Sequence, residues 1–310
     1  MGKIAFIFAG QGAQAIGMGK ELCENFEVAD KVFNEATDAL GLDMKKLCFE
    51  GDEETLKITE NTQPAILTMS VAALRVLEEK GIKADVVAGL SLGEYSAHVA
   101  SGSIAFADAV RLVRKRGKYM QEEVPIGKGA MAAILGMDEE GVYEVCKKAS
   151  EFGICEPANF NCPGQIVVAG ETLAVEKAAE IAKEMGAKRA MMLPVSAPFH
   201  CQMLAGAGEK LAREMENVEF SDMLVPLMTN VTADFINSKD EIKDILVKQV
   251  SSGVKWQKII EKMLADGVDT FIEIGPGKAL SGFVKKIDKT VKILNVEDMA
   301  SLENTLKELT

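Results

Sequence analysis

The sequence predicts an α/β protein built from a large and a small domain. From the N-terminus to residue 125, short apolar runs of the buried parallel-strand type alternate with helical patterns, which indicates a parallel sheet covered on both faces by helices. From residue 126 to 196 the order changes to β-α-β-β-α-β, the ferredoxin-like arrangement, within about 70 residues. Strands and helices of the first kind then resume. We therefore predict a large domain, 1–125 and 197–310, that carries an inserted small domain, 126–196.

The first half of the large domain begins with a strand, 3–9, that ends in a glycine-bounded loop, 10–12. This loop lacks the third glycine and the lysine of known phosphate-binding loops, so nucleotide binding is not predicted. Helical patterns run to Leu40 and again from Thr62, which we take as an N-cap, to Gly81. A strand and two helices follow: 86–88, 92–100 and 106–121.

The small domain is predicted from six elements in β-α-β-β-α-β order: 130–135, 139–150, 155–160, 165–169, 173–185 and 188–193. The chain then returns to the large domain with a strand, a helix and two further strands: 225–229, 239–250, 271–274 and 291–295. The strand 271–274 ends in Gly275-Pro276-Gly277, which precedes another helical pattern.

Composition limits the classes of function that the chain can have. With 310 residues and 48% hydrophobic content it can bury a large core, and no apolar run approaches the roughly 18 residues of a membrane span. Because the N-terminus shows no secretory signal, we expect a soluble, cytoplasmic protein without a membrane partner. A net charge of -12 argues against nucleic-acid binding, which needs a positive surface. The six cysteines show no metal-binding or disulfide spacing, so no metal site is predicted.

The stretch Gly89-Leu90-Ser91-Leu92-Gly93 is the best candidate for a catalytic site. It joins a buried strand to a helix. The turn at the serine is so tight that the backbone is crowded on both sides, and only glycine, which has no side chain, fits there. The turn exposes the Ser91 hydroxyl and directs the first N–H groups of the helix, led by that of Leu92, toward the same point. Because the spacing also arises by chance, an ordinary glycine-flanked turn stays an alternative.

A nucleophilic serine needs a neighbouring base, and the chain contains two histidines. His98 lies on the same predicted helix as Ser91, about 10 Å along its axis and too far away to take the proton. His200 is therefore the candidate base, in a segment where the chain leaves the small domain and where an interdomain cleft is expected. A packing or surface role for His200 and a Cys-His pair with Cys201 are the alternatives.

Five motifs together resemble those of the malonyl-CoA:acyl-carrier-protein transacylase family, in the same order and spacing over nearly the whole chain. They are Gly10-Gln11-Gly12-Ala13-Gln14, Gly89 to Tyr95, Arg116-Gly117, Ser196 to His200 and Gly275-Pro276-Gly277. The resemblance implies an α/β-hydrolase-like large domain with the ferredoxin-like small domain inserted in it. The sequence departs from the family at Leu90, where a histidine is common, and this removes a polar neighbour but no catalytic role.

The resemblance also implies a role for each candidate site residue. Ser91 would be the acyl-accepting nucleophile and His200 the general base and acid. Gln11 and the Leu92 amide would form the oxyanion hole, and Arg116 would pair with the malonyl carboxylate. From its position alone, Arg116 fits equally well as a cation near the end of a helix.

The implied reaction moves malonyl from malonyl-CoA to the phosphopantetheine thiol of acyl carrier protein, for fatty acid synthesis, without a metal or redox cofactor. The main-chain carbonyl that orients His200 would come from Gln249. We expect a monomer whose partners are these two substrates. Two other functions stay open: a serine esterase or thioesterase, which would pass the acyl group to water without needing Arg116, and a catalytically silent module that binds carrier protein.

Overall fold

The computed structural model describes residues 2–195 and 197–309. The strands are β1 Lys3–Phe8, β2 Val86–Gly89, β3 Gly129–Leu135, β4 Cys155–Cys162, β5 Gln165–Glu171, β6 Arg189–Met192, β7 Leu227–Met228, β8 Val268–Ile274 and β9 Lys292–Val296. The helices are α1 Lys20–Asn25, α2 Glu27–Leu40, α3 Glu53–Lys57, α4 Thr59–Glu79, α5 Gly93–Ala100, α6 Phe106–Glu123, α7 Glu139–Ala149, α8 Thr172–Glu184, α9 Ala205–Glu214, α10 Ile242–Val250, α11 Trp256–Ala265, α12 Ala279–Ile287 and α13 Met299–Leu309. Ser196, at the predicted end of the small domain, lies outside the described residues.

A parallel sheet forms the centre of the larger part of the molecule. Its strand order is β7-β2-β1-β8-β9, and each neighbouring pair is parallel. In the middle strand, Phe8 aligns with Gly89 of β2 and with Ile274 of β8. The loops that follow these three strands therefore leave the same edge of the sheet, which is where ligands bind in open α/β folds.

The side chains of β1 divide the core between the two faces of this sheet. Phe6 and Phe8 pack with the helices on one face, among them α4 and α5, whereas Ala5 and Ile7 pack with α11 and α12 on the other. This follows from the two-residue period of a strand, which sends successive side chains to opposite faces. The apolar run that predicted a strand covered on both sides is thus buried on both sides.

A separate antiparallel sheet has the order β4-β5-β3-β6, and α7 and α8 cover one of its faces. Its other face packs against Cys201, the neighbour of His200. The Phe160 N–H of β4 donates to the Val254 carbonyl at 2.9 Å, and the Val254 N–H donates to the Ala158 carbonyl at 2.8 Å. These bonds fix the antiparallel sheet beside the segment that joins α10 to α11. The fold is therefore α/β, with a parallel and a separate antiparallel sheet, as predicted at that level.

One predicted helix start is wrong. Thr62 is not an N-cap, because α4 begins at Thr59 and Thr62 lies inside it. The Thr62 hydroxyl donates to the carbonyls of Leu56 at 2.6 Å and Ile58 at 3.1 Å. A hydroxyl that marks a helix start in the sequence is here bonded back to earlier carbonyls.

Elements late in the chain also differ from the prediction. The predicted strand 225–229 is reduced to β7, Leu227–Met228, at the edge of the sheet, where Pro226 has no N–H to continue the ladder. The predicted helix 239–250 becomes a 3₁₀ turn, Lys239–Glu241, followed by α10. The prediction contained no helices at α9, α11 and α13.

Candidate active site

Ser91 occupies a strained turn between β2 and α5. Its backbone φ is 56°, a left-handed conformation that few non-glycine residues adopt. A Cβ at Gly89 would collide with the backbone of Gly93, and a Cβ at Gly93 would collide with the carbonyl oxygen of Phe8. Both glycines are therefore required by the close approach of the strand, the turn and the helix. Such local strain persists only where the surroundings hold it, and it concentrates at functional sites.

Asn230, which follows β7, holds this turn from the side. Its Oδ1 accepts a hydrogen bond from the Ser91 N–H at 2.6 Å, and its Nδ2 donates to the Gly89 carbonyl at 2.7 Å. The side chain is fully buried. One amide thus satisfies two backbone groups of the turn, one on each side of Leu90.

His200 lies beside the Ser91 hydroxyl and is fixed by a main-chain carbonyl. Its Nε2 is 2.6 Å from Ser91 Oγ, and its Nδ1 is 2.9 Å from the Gln249 carbonyl oxygen. Because a carbonyl only accepts, Nδ1 carries the proton and Nε2 is free to accept one from the serine. Burial, assisted by the charge of Arg116, lowers the pKa of His200 from 6.5 to about 3, so the imidazole is neutral at pH 7.

Arg116 reaches the same hydroxyl from α6. Its Nη2 donates to Ser91 Oγ at 3.2 Å and to Gln249 Oε1 at 3.0 Å, while Nη1 donates to Gln63 Oε1 at 2.9 Å. The side chain is only 2% exposed, and the guanidinium lies 5.6 Å from the ring centroid of Tyr95. A solvated cation at a helix end does not fit this position, since α6 continues to Glu123. All three hydrogen-bonded acceptors are neutral oxygens, so no carboxylate is hydrogen-bonded to the guanidinium.

Gln249, on α10, contributes more than its carbonyl. Its side-chain Nε2 donates to the Ser91 carbonyl at 2.9 Å and to Glu94 Oε2 at 2.9 Å, while Oε1 accepts from Arg116. The side chain is fully buried. The structure therefore brings Ser91, His200, Arg116 and Gln249 together in one hydrogen-bonded group.

Comparison with known proteins assigns this constellation to a family. A family model described as "Acyl transferase domain" matches residues 5–308. The chain belongs to the acyl transferase family. Among its relatives, "Malonyl CoA-acyl carrier protein transacylase" of Bacillus subtilis is 51% identical, covering 99% of this chain and 98% of the relative. The Escherichia coli K12 protein of the same name is 45% identical, over 99% of this chain and 100% of the relative.

Solved structures agree with this assignment. The malonyl CoA-acyl carrier protein transacylase of Clostridium perfringens superposes on this acyl transferase with a TM-score of 0.97 at 53% identity, covering 99% of this chain and 97% of the other. A malonyl-transacylase solved in complex with its type II PKS acyl-carrier protein gives a TM-score of 0.96 at 45% identity, covering 99% of each chain. The resemblance drawn from the five sequence motifs is confirmed at the level of the family.

The two predicted oxyanion-hole residues lie close to the serine turn in different ways. Leu92 is the N-cap residue of α5, where the backbone N–H takes no part in the helical hydrogen bonds, and its side chain is buried. Gln11 is in the loop after β1, and a Cβ at the adjacent Gly10 would lie 2.7 Å from the Leu90 carbonyl oxygen. The amide of Gln11 donates to Thr59 Oγ1 at 3.4 Å, so it is not bonded to Ser91.

The alternatives to His200 are not assembled at the site. His98 is buried on α5, and its Nδ1 lies 2.7 Å from Ser103 Oγ. Cys201 is also buried, and burial raises the pKa of its thiol from 9.0 to about 12. A reactive cysteine needs a lowered pKa, so the raised pKa of Cys201 argues against a Cys-His pair.

Three residues of the site were not singled out from the sequence: Asn230, Gln63 and Glu94. Asn230 carried only an Asn-x-Thr glycosylation pattern, which has no bearing on its contacts. Gln63 lies inside a helix and meets Arg116 only in the folded chain. Glu94 follows the serine motif directly, and only its burial beneath Ser91 distinguishes it from an ordinary first-turn acid.

Two negative findings complete the description of the site. Within residues 2–195 and 197–309, no group of three or more His, Cys, Asp or Glu side chains could hold a metal ion. No helix in that part of the chain is long and apolar enough to cross a membrane.

Proposed function

We propose that this acyl transferase moves a malonyl group from malonyl-CoA to the phosphopantetheine thiol of acyl carrier protein through a malonyl ester of Ser91, supplying extender units for fatty acid synthesis. The observation that carries the proposal is that the Ser91 hydroxyl contacts both His200 Nε2, at 2.6 Å, and Arg116 Nη2, at 3.2 Å. A base activates the nucleophile, and a fixed cation beside it favours an acyl group that carries a carboxylate. The names of the relatives support the same assignment.

In the first half-reaction, Ser91 Oγ attacks the thioester carbonyl of malonyl-CoA while His200 Nε2 takes the hydroxyl proton. The tetrahedral intermediate collapses when the C–S bond breaks, and His200 returns the proton to the departing CoA thiolate. The Gln249 carbonyl stabilises the transient imidazolium through the Nδ1–H bond. The enzyme is left as a malonyl ester with a neutral histidine.

In the second half-reaction, the carrier-protein thiol takes the place of CoA. His200 Nε2 removes the thiol proton, the sulfur attacks the ester carbonyl, and the C–O bond to Ser91 breaks. His200 then returns the proton to Ser91 Oγ. Protons and electron pairs balance without an oxidant or a metal, which supports a reaction that needs no cofactor besides its two substrates.

We assign acyl selectivity to Arg116. Taking a carboxylate into a buried cleft is costly unless a fixed cation meets it. Arginine suits the task because its planar guanidinium can bind both carboxylate oxygens while staying charged. The acceptors Gln63 and Gln249 are neutral, so the guanidinium of Arg116 has no hydrogen-bonded carboxylate that a malonyl group would have to replace.

We assign the oxyanion hole to the Leu92 N–H and Gln11. The first N–H groups of a helix carry a partial positive charge where the negative oxygen develops. Gln11 would have to leave Thr59 to take part, and at 3.4 Å that bond is long and easily exchanged.

We further propose that the two sheets correspond to an α/β-hydrolase-like large domain, 1–125 and 197–310, and an inserted ferredoxin-like domain, 126–196. The order β4-β5-β3-β6, with two helices on one face, supports the second description. We propose a cytoplasmic monomer whose partners are malonyl-CoA and acyl carrier protein. A net charge of -12 argues against nucleic acid as a partner.

Intact-protein mass spectrometry tests the proposal in two steps. Mixing with malonyl-CoA should add one malonyl group to the protein, and peptide mapping should place it on Ser91. Adding phosphopantetheinylated carrier protein should remove the group and place it on the carrier thiol. Release of free malonate at the same rate as malonyl-carrier would identify a hydrolase instead, and an unmodified protein would identify a silent binding module.

A further inference from the structure

Glu94 is a buried carboxylate that the reaction described above does not use. It lies in the first turn of α5, its side chain is fully buried, and its Oε2 accepts hydrogen bonds from Gln249 Nε2 and the Asn230 N–H, both at 2.9 Å. Among the described residues, its Oε1 has no hydrogen-bond partner. Burying such a group is costly, so its presence next to the nucleophile calls for a role.

Both donors to Glu94 also hold the backbone of Ser91. The Asn230 side chain bonds the Ser91 N–H, and the Gln249 side chain bonds the Ser91 carbonyl. One oxygen of Glu94 therefore bonds both residues whose side chains hold the peptide groups of Ser91. Because Ser91 has a φ of 56°, its conformation depends on such hydrogen bonds.

Glu94 is one of three groups that fix which way the Gln249 amide faces. Its Oε2 and the Ser91 carbonyl both accept from the NH₂ group, and Arg116, which only donates, meets Oε1. The reversed amide would place two donors against the guanidinium and two acceptors against each other. Glu94 thus helps to hold the Gln249 amide between the Ser91 carbonyl and Arg116.

We propose that Glu94 is a positioning residue whose carboxylate oxygen fixes the side chain of Gln249 and the backbone of Asn230, and through them the reactive conformation of Ser91. The proposal rests on the proposed function of the site. It is a claim about hydrogen-bond geometry, since both donors meet the same oxygen. An amide oxygen at that point should serve nearly as well, whereas a shorter carboxylate should not.

Two substitutions separate geometry from charge. Glu94→Gln keeps the length and one acceptor oxygen but removes the charge, while Glu94→Asp keeps the charge and withdraws the oxygen. We expect Glu94→Asp to lower kcat for acylation by up to about 100-fold, since a displacement of about 1 Å can cost that much, with a smaller change in KM. Glu94→Gln should stay within about 10-fold of the wild type.

The readout is the burst of p-nitrophenol from p-nitrophenyl acetate, which reports Ser91 acylation whichever thioester is the natural donor. A wild-type enzyme that gave this burst but did not transfer malonyl to carrier protein would refute the proposed function and leave the Glu94 comparison intact. The loss of acylation rate in Glu94→Asp should be the same with acetyl-CoA and malonyl-CoA. The substitution acts on the position of Ser91 and not on the binding of the malonyl carboxylate.

Glu273 provides a matched control. It is also a buried glutamate, 1% exposed, and accepts hydrogen bonds from the N–H groups of Leu280 at 3.0 Å and Ser281 at 2.7 Å. Glu273→Asp should lower the melting temperature without changing the burst rate per folded molecule. Equal burst rates in Glu94→Asp and the wild type, or a greater loss in Glu94→Gln than in Glu94→Asp, would overturn the proposal.

Discussion

Two buried histidine–serine pairs lie within residues 2–195 and 197–309, and we propose catalysis for only one of them. His200 Nε2 lies 2.6 Å from Ser91 Oγ, and His98 Nδ1 lies 2.7 Å from Ser103 Oγ. Burial is the main cause that lowers the pKa of each histidine to about 3. Distance, burial and pKa therefore do not distinguish the two pairs.

The groups that hold each imidazole distinguish them. Ser103 Oγ also lies 2.9 Å from Ser101 Oγ and 3.1 Å from the His98 carbonyl, and among the described residues His98 Nε2 has no hydrogen-bond partner, so no second hydrogen bond fixes the tautomer of His98. At the other pair, the His200 Nδ1–H is used by the Gln249 carbonyl, which leaves Nε2 to accept from Ser91. A serine becomes a nucleophile where the base is held ready to receive its proton, and the His98–Ser103 pair lacks that arrangement.

The largest expected contrast is between the two serines. Ser91→Ala should abolish acyl-enzyme formation from malonyl-CoA while the protein stays folded, because it removes the oxygen that lies 2.6 Å from His200 Nε2. Ser103→Ala should keep the acyl-enzyme, with a lower melting temperature from the lost hydrogen bonds. Intact mass after mixing measures the first result and thermal unfolding the second. Malonylation of Ser91→Ala at the wild-type rate would place the nucleophile elsewhere.

The two histidines give the next contrast. His200→Ala should slow both half-reactions by about 100-fold to 10,000-fold, the usual cost of a lost positioned base. His98→Asn, which retains a polar atom near the Nδ1 position, should leave both rates within a few-fold of the wild type. Stopped-flow acylation and transfer to carrier protein measure each step. If His98→Asn slowed acylation more than His200→Ala, the assignment of the base would be reversed.

A smaller effect is expected from the cation that only the Ser91 pair possesses. Arg116→Ala removes a charged hydrogen-bonding partner worth about 1.5 to 3 kcal/mol, so kcat/KM for malonyl-CoA should fall roughly 10-fold to 200-fold. Acetyl-CoA has no carboxylate, and its slow transfer should persist or rise. The control is Arg114→Ala on the same helix, where the side chain is partly exposed and pairs with Glu60. If the ratio of kcat/KM for malonyl-CoA to that for acetyl-CoA were equal in Arg116→Ala and the wild type, Arg116 would not be the residue that binds the malonyl carboxylate.

The serine and the histidine of the proposed catalytic pair could both be predicted from the sequence, the first from local constraints and the second by elimination. The demand for glycine on both sides of Ser91 arises from neighbouring backbone atoms, so it is visible at short range. His200 followed from elimination, because the chain offers only two histidines. Arg116 and Gln249 needed the family resemblance, since an arginine or a glutamine within a helix carries no local sign of burial.

The rest of the site depends on contacts between distant parts of the chain. Asn230 and Gln249 lie 139 and 158 residues from Ser91 and meet it only in the folded protein. The same limit applies to the fold. Buried central strands were predicted from their apolar runs, whereas the edge strand β7 was predicted too long because an apolar run does not reveal where pairing ends.

The smallest expected effect compares the two histidines through the pH dependence of stability. Between pH 6.5 and about 3, the unfolded chain binds protons at His98 and His200 that the folded chain rejects, so their contribution to stability is complete above pH 6.5 and is lost as the pH falls. Glu94 acts in the opposite sense. Burial raises the pKa of its carboxyl from 4.5 to about 7, so its contribution grows as the pH falls from 7 toward 4.5.

Replacing His98 isolates one of these contributions without touching the reacting groups. At pH 7.5, His98→Asn should melt at a lower temperature than the wild type, because the smaller side chain leaves a packing defect. His98 is neutral in both the folded and the unfolded chain at this pH, so its protonation does not affect the difference. As the pH falls to 5.5, the wild type loses about 1.4 kcal/mol per unit below 6.5 at His98 and the variant does not, so the gap should narrow by roughly 2 to 4 °C. Ser96→Ala, a buried change on the same helix without a titratable group, should keep a constant gap. If the difference in melting temperature between His98→Asn and the wild type were equally constant from pH 7.5 to 5.5, His98 would bind its proton as readily in the folded as in the unfolded chain. The two pairs would then differ in protonation as well as in the groups that hold each imidazole.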